Sequence, residues 1–224
     1  MSTDAHAVTY RPPPDTGLEI IHLDEHLLVL NKPSGLLSVP GRGEEKQDSL
    51  ASRVQAEYPE ARVVHRLDMS TSGLMIMARG PEMQRRLQRL FEQRAIEKQY
   101  QAIVTGCLDP TSGSIRLPLI TDWPNRPRQR IDHERGKPAL THYRLLEYRP
   151  ESDSSRVELR PETGRSHQLR VHMLAISHVI LGDNLYAEPD LREKAPRLLL
   201  HASDLRFIHP ASGFELKLYS PAPF

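Results

Sequence analysis

The stretch Val63–Arg79, VVHRLDMSTSGLMIMAR, decides how the rest of the chain is read. Two β-branched residues open it, and an apolar run from Leu74 to Ala78 closes it. Between them lie His65, Arg66, Asp68, Ser70, Thr71, Ser72 and Gly73. The pattern predicts a strand, a tight loop and a second strand, with Ser72-Gly73 supplying the turn. Asp68 then sits on a loop held at both ends by buried β-structure, where a rigid scaffold usually carries function. Arg66 and Asp68, two residues apart, also fit a plain loop ion pair.

Upstream, Leu18–His22 and Leu27–Asn31 are short apolar runs around Asp24-Glu25 and predict a hairpin. Residues 1–17, ending in Pro12-Pro13-Pro14, read as a flexible arm stiffened into polyproline II at its end. Asn31-Lys32-Pro33-Ser34-Gly35-Leu36 reads as a Pro/Gly-punctuated loop. Asp48 can cap a helix from Ser49 to about Tyr58, with Leu50, Val54 and Tyr58 on one face. Downstream, a helix is expected from Pro81 to about Arg94, with Met83, Leu87, Leu90 and Phe91 on its apolar face. Lys98–Thr105 alternates as a strand that places Tyr100, Ala102 and Val104 on one side.

Residues 121–137, TDWPNRPRQRIDHERGK, carry Trp123, Arg126, Arg128 and Arg130, and the segment's two prolines forbid a regular helix or central strand. An aromatic among arginines on an exposed loop is a form that RNA contacts take. The plainer alternative is a charged loop anchored to the core by Trp123. Ala139–Tyr148 and Arg156–Pro161 predict two more strands, and a helix that ends near Ile176 follows Gly164-Arg165. Leu205–His209 and Glu215–Tyr219 close the chain as strands. Strands outnumber helices and often follow one another, so the fold class expected is α+β, with a mixed, largely antiparallel central sheet flanked by helices and loops.

Composition bounds the function. Of 224 residues, 38% are apolar and 26% charged, enough for a real core. The formal net charge of +1 excludes a global basic field, so any nucleic-acid binding must come from a local patch. The one cysteine, Cys107, excludes an internal disulfide, argues against a Cys-ligated zinc, and fits a reducing cytoplasm. The N-terminal residues lack the apolar core of a signal peptide, and no run approaches the roughly 18 apolar residues of a spanning helix, so no membrane partner is expected. His167 and His172 are five apart, not the four that would align two metal ligands on one helical face, and there is no HExxH, so no metal is expected.

Four spaced pieces carry a resemblance: Asn31-Lys32-Pro33 with Gly35-Leu36; His65-Arg66-Leu67-Asp68 with Thr71-Ser72-Gly73; Thr163-Gly164-Arg165 with His167-Gln168-Leu169-Arg170-Val171-His172; and His201-Ala202 with Leu205. Together they resemble the RluA-type pseudouridine synthases, in family order, from about Leu18 to Leu218. Ser70 and Ser166 depart from the family's frequent Asp and Thr. The resemblance implies the pseudouridine synthase fold as a single catalytic domain over residues 18–224, without the S4-type RNA-binding domain that many members carry, so that RNA recognition falls to the catalytic domain itself.

It also implies the chemistry. Uridine becomes pseudouridine by isomerisation, which exchanges no electrons or phosphates with another molecule and requires no cofactor. Asp68 would supply the carboxylate, acting at C1′ or C6 or on the C2′ proton. Arg165 would be its counter-charge, Tyr100 would stack on the uracil, and Leu169 would line the pocket. Arg66 would fill the space left by the flipped base, and the Trp123–Lys137 segment, with Arg126, Arg128 and Arg130, would contact RNA. Lys32 would hold structure near the site. The compact length and the Asp122–Pro127 segment resemble the RluA branch, whose substrates are uridine 746 of 23S rRNA and uridine 32 of some tRNAs. A monomer working on RNA stem-loops is expected. The alternatives are another rRNA or tRNA uridine, or a catalytically silent RNA-binding or ribosome-assembly factor.

Overall fold

In the computed structural model, which describes residues 10–224, the apolar run of the central stretch becomes β4 (Ser72–Arg79), buried from Ser72 to Ala78. It pairs antiparallel with β2 (Leu27–Lys32) and with β3 (Ala61–Val63). On one face Met75 and Met77 join Leu28 and Leu30 against Leu50, Ala51 and Val54 of α1 (Leu50–Glu57). On the other, Leu74 and Ile76 join Leu27 and Val29 against Met83 and Leu87 of α2 (Pro81–Glu92). Strands covered on both faces have no polar side to show, which is why LLVL and LMIMA read as unbroken runs. Each such buried Leu, Ile or Met contributes about 1.5–3 kcal/mol.

The remaining strands are β1 (Ile20–Leu23), β5 (Glu97–Thr105), β6 (Ser112–Arg116), β9 (Leu140–Arg149), β10 (Ser154–Pro161), β11 (Leu200–Ile208) and β12 (Glu215–Tyr219). They build one sheet in the order β1-β2-β4-β11-β5-β10-β9-β6, with β12 beside β11 and β3 beside β4. Its pairings are antiparallel apart from β4–β11. The fold is thus α+β with a mixed, largely antiparallel sheet, as the residue pattern implied. β7 (Leu119–Thr121) and β8 (Gln129–Ile131) form a separate two-stranded ribbon, and α3 (Gln168–Ala175) packs near β8, β9 and β10.

The parallel β4–β11 step joins the two halves of the sheet, with Ser72 opposite His201 and Gly73 opposite Ala202. Gly73 has φ +112°, and a Cβ there would lie 2.3 Å from the Ala202 carbonyl oxygen. Its role is therefore close backbone approach within a strand, not the turn expected of Ser72-Gly73. The Ser72 hydroxyl accepts from Arg197 Nη2 at 2.5 Å and bonds His201 Nδ1 at 2.8 Å.

Several local expectations change. Ser49, not Asp48, caps α1: its Oγ accepts the Ser52 N–H while the Ser52 hydroxyl accepts the Ser49 N–H, and Asp48 instead pairs with Arg53 at 2.7 Å. Of the expected flexible arm, residues 1–9 lie outside the described residues, and Tyr10–Pro14 are docked. The buried Tyr10 hydroxyl donates to the Asp48 carbonyl and accepts the Leu37 N–H, both at 3.0 Å, and Arg53 donates to the Pro13 and Pro14 carbonyls. The strand expected over Leu205–His209 begins earlier, at Leu200, and is bent by an irregularity between Ala202 and Asp204. The expected loop of residues 121–137 contains β8 and the tip of the ribbon.

Two histidines, His201 buried and His65 half-buried, tie stability to pH. Burial pushes His201 down to about 4, and burial, helped by the Lys98 charge, pushes His65 down to about 3. His65 Nε2 accepts the Ile76 N–H at 2.9 Å, a bond that protonation would break. Below about pH 6.5 the unfolded chain takes up these protons first, so the stabilisation from the neutral histidines is complete above about 6.5 and is lost as pH falls toward about 4. Urea midpoints measured at pH 7.5, 6.5, 5.5 and 4.5 are expected to be level over the first pair and to fall over the rest. Midpoints level down to pH 4.5 would contradict the neutral assignment of both rings.

Candidate active site

Asp68 lies on the loop between β3 and β4, and the segment after β2 clamps that loop. The Ser38 hydroxyl donates to the Leu67 carbonyl at 2.7 Å and accepts the Leu67 N–H at 3.1 Å. The Ser34 hydroxyl donates to the Ser70 carbonyl, and the Gly35 N–H to the Met69 carbonyl. Lys32, fully buried, donates to the carbonyls of Pro33, Leu36 and Met69 at 2.7–3.0 Å. Burial brings its pKa down to about 7 against the opposing pull of Asp68. Five hydrogen bonds from this short segment to Leu67, Met69 and Ser70 fix the backbone on both sides of Asp68.

Two groups face that carboxylate. Arg170 Nη1 lies 3.5 Å and His167 Nε2 4.0 Å from Asp68 Oδ2. Arg170, on α3, is itself gripped by Asp183 through Nε–Oδ2 at 2.7 Å and Nη2–Oδ1 at 2.6 Å, and both residues are buried. Burial works against the guanidinium, but the hydrogen bonds and charge of Asp183, with Asp68 behind it, hold its pKa above the ordinary value. Asp183 also accepts the N–H groups of Leu185 and Tyr186.

The resemblance gives Arg165 as the counter-charge of Asp68, but the arginine within 4 Å of that carboxylate is Arg170. Arg165 is exposed on the turn before α3, where its N–H donates to Gln168 Oε1 and its Nε to the Pro138 carbonyl, which holds it at the rim. It still lines the cleft, together with Arg66, Asp68, Tyr100, His167, Leu169 and Arg170. Leu169 is buried, and Arg66 is exposed. Tyr100 comes from β5, and burial, reinforced by the Asp68 charge, raises its pKa so that the phenol stays protonated.

A second chain of contacts runs from the ribbon to the cleft. At the ribbon tip Trp123 is 66% exposed, with the Arg126 guanidinium 4.5 Å from its ring centre, so Trp123 is not the core anchor of the plainer alternative. Arg130 pairs with Asp132, and Arg128 lies over the Tyr186 ring. The Tyr186 hydroxyl accepts the Gln129 N–H and bonds His167 Nδ1, both at 2.7 Å. The Tyr186–Nδ1 bond fixes the imidazole orientation and leaves Nε2 as the ring nitrogen that faces Asp68. His167 sits at φ +54° and its pKa is lowered, mainly by burial.

Arg170, Asp183 and Tyr186 were not singled out from the sequence, although one signal existed. Arg170 interrupts the apolar run QLRVHMLA, and a charge on a buried helix requires a buried partner. Among the described residues no three His, Cys, Asp or Glu side chains gather as a metal site. Nor is any helix among them long and apolar enough to cross a membrane.

A carboxylate set in a cleft between a buried arginine and a tyrosine, on this sheet, defines a class that comparison with known proteins identifies. The profile of the family described as RNA pseudouridylate synthase matches residues 26–175. The Dual-specificity RNA pseudouridine synthase RluA of Escherichia coli (strain K12) is 53% identical over 215 residues, covering 96% of this chain and 98% of that protein. Its namesake from Pasteurella multocida (strain Pm70) is 51% identical over 217 residues, covering 97% and 99%. Among solved structures, Human RNA Pseudouridylate Synthase Domain Containing 1 superposes with a TM-score of 0.79 at 31% identity, covering 96% of this chain and 87% of that one. The chain belongs to the RNA pseudouridylate synthase family and is an RNA pseudouridine synthase, an isomerase.

Tyr186→Phe removes both the acceptor for the Gln129 N–H and the hydroxyl bonded to His167 Nδ1. The variant is expected to fold and to lose about tenfold in single-turnover rate, equivalent to about 1.4 kcal/mol in the barrier. An unchanged rate on saturating RNA would disconnect His167 from the reaction.

Proposed function

We propose that Asp68 is the reacting carboxylate and that the enzyme has two kinds of substrate, the stem-loops holding uridine 746 of 23S rRNA and uridine 32 of tRNA. The observation that carries the first part is the position of Asp68, clamped by its loop, with Arg170 at 3.5 Å and with Tyr100 in the same cleft. The C1′–N1 bond breaks, the uracil turns, C5 joins C1′, and the proton lost from C5 is balanced by one gained at N1. Attack at C1′, attack at C6 and removal of the C2′ proton all require an ionised carboxylate, and the Arg170 charge favours that form. Tyr100 stacks on the uracil and, with its phenol protonated, keeps a hydroxyl beside the base. Leu169 closes the pocket from the helix side. Arg165, at the rim, meets the RNA rather than Asp68.

The target base leaves its stack before reaction, and Arg66, exposed two residues from Asp68, fills the space. The ribbon tip, with Trp123 stacked under Arg126 and with Arg128 and Arg130 following, reads the loop of the RNA. The dual specificity named for relatives at 51–53% identity over nearly the whole chain supports two RNAs sharing one compact loop. The protein works as a monomer in the cytoplasm, without a cofactor.

The test uses a minimal tRNA anticodon stem-loop and a minimal rRNA hairpin, each with its target uridine. Both are expected to yield pseudouridine, and each to inhibit the other competitively. Asp68→Asn is expected to abolish turnover on both while retaining RNA binding. Reaction only within intact ribosomal particles would overturn the specificity. Substantial turnover by Asp68→Asn would overturn the assignment of the carboxylate.

A further inference from the structure

Beside the uridine cleft lies a second groove, of about 730 Å³, across the start of β5, the end of β10 and the second half of β11. Lys98 and Pro161 belong to the walls of both, so the two openings meet at Lys98. The groove carries five cations, Arg94, Lys98, Arg160, Arg206 and Lys217. Three are neutralised locally: Arg160 by Glu158, Arg206 by Glu215 and Glu97, and Lys217 by Glu215.

Lys98 differs. It is half-buried, yet among the described residues its ammonium has no carboxylate within 4 Å and no hydrogen-bond acceptor. Its environment, first by burial and then by the like charge of Arg94, disfavours the cation and lowers its pKa. Two neighbouring cations without a shared acid are a costly arrangement for the protein alone and a favourable one around an anion. Glu162 feels the Arg94 charge, but its carboxylate is bonded to His142 at 2.7 Å.

Arg94 adds an independent observation. It stands just beyond α2 with φ +58°, in the left-handed conformation where helices usually place glycine. An L side chain there is strained. The backbone would be served better by glycine, so what arginine contributes is its guanidinium at the groove.

We propose that Lys98 and Arg94 form a phosphate site for the RNA backbone, holding a phosphodiester that flanks the target uridine as the strand passes from the cleft into the second groove. Arg94 supplies a planar two-point donor and Lys98 a point charge at the boundary of the two openings. The site rests on the RNA reading above and adds a strand path to it.

The experiment places an uncharged methylphosphonate at each phosphate flanking the target uridine in turn, in a minimal stem-loop. Binding is read with the Asp68→Asn protein, alone and combined with Lys98→Gln or Arg94→Gly. One linkage is expected to weaken binding about tenfold in the parent, and that loss is expected to shrink to little in the Lys98→Gln background, because the contact is already gone. Arg94→Gly is expected to be at least as heat-stable as its parent, since it relieves the left-handed strain, yet to bind RNA more weakly and with a shallower salt dependence. Equal losses at every linkage in parent and variants, or unchanged affinity and salt slope in Arg94→Gly, would overturn the site. Wild-type turnover of the unmodified stem-loop separates the two levels. If turnover is present, such results remove only the phosphate site; if it is absent, the stem-loop reading falls and the site with it.

Discussion

The site depends on one buried ion pair. Arg170 and Asp183 are both almost wholly shielded from water, yet meet in a two-point geometry at 2.6 and 2.7 Å. Removing either partner of such a pair leaves a buried charge uncompensated, at a cost of about 3–5 kcal/mol. The pair also organises what surrounds it. Asp183 fixes the backbone of Leu185 and Tyr186, Tyr186 sets the orientation of His167 and receives the ribbon through Gln129, and the free side of Arg170 turns to Asp68. One fork thus joins the cleft, helix α3 and the ribbon that the functional reading assigns to RNA.

Asp68 reaches this pair from the other half of the chain, and its position is set by backbone rather than by its own side chain. The clamp from Lys32 to Ser38 holds the loop through carbonyl and amide groups, so it fixes geometry without using the carboxylate. The β4–β11 step brings the halves together at Gly73, where any Cβ would collide with the Ala202 backbone. Fold and site therefore share their constraint: the one parallel step among the described residues of the main sheet is where the loop of one half meets the cleft wall of the other.

Much of this was legible in the sequence, for identifiable reasons. β2 and β4 are covered on both faces and so wrote themselves as apolar runs, and α2 carried a clear apolar face after Pro81. β6 and β8 escaped notice because they are short, half-exposed and rich in Ser, Gly, Gln and Arg, with none of the alternation that marks a half-buried strand. Asp68, Tyr100, Arg66 and Leu169 were placed in one cleft by motif resemblance, and the structure brings them there. Arg170 was passed over for Arg165 because linear motifs do not say which of two arginines, five residues apart, turns inward. That choice is made by Asp183, thirteen residues beyond Arg170, and by the Pro138 carbonyl that draws Arg165 outward. The docking of Tyr10–Pro14 was illegible for a similar reason, since its anchor, Arg53, lies on α1 and looks locally like an ordinary surface residue.

The central claim is that the Asp68 carboxylate is served by the fork of Arg170, and not by Arg165. The most direct measurement compares single-turnover pseudouridine formation by Arg170→Lys and Arg165→Lys at saturating stem-loop, with folding of each checked by circular dichroism. Lysine keeps the charge but cannot hold Asp183 and Asp68 at once. The account predicts a rate loss of about 100-fold or more for Arg170→Lys, the scale typical of losing a preorganised electrostatic contact, and less than about tenfold for Arg165→Lys. A folded Arg170→Lys protein with a near wild-type rate, beside a crippled Arg165→Lys, would contradict it.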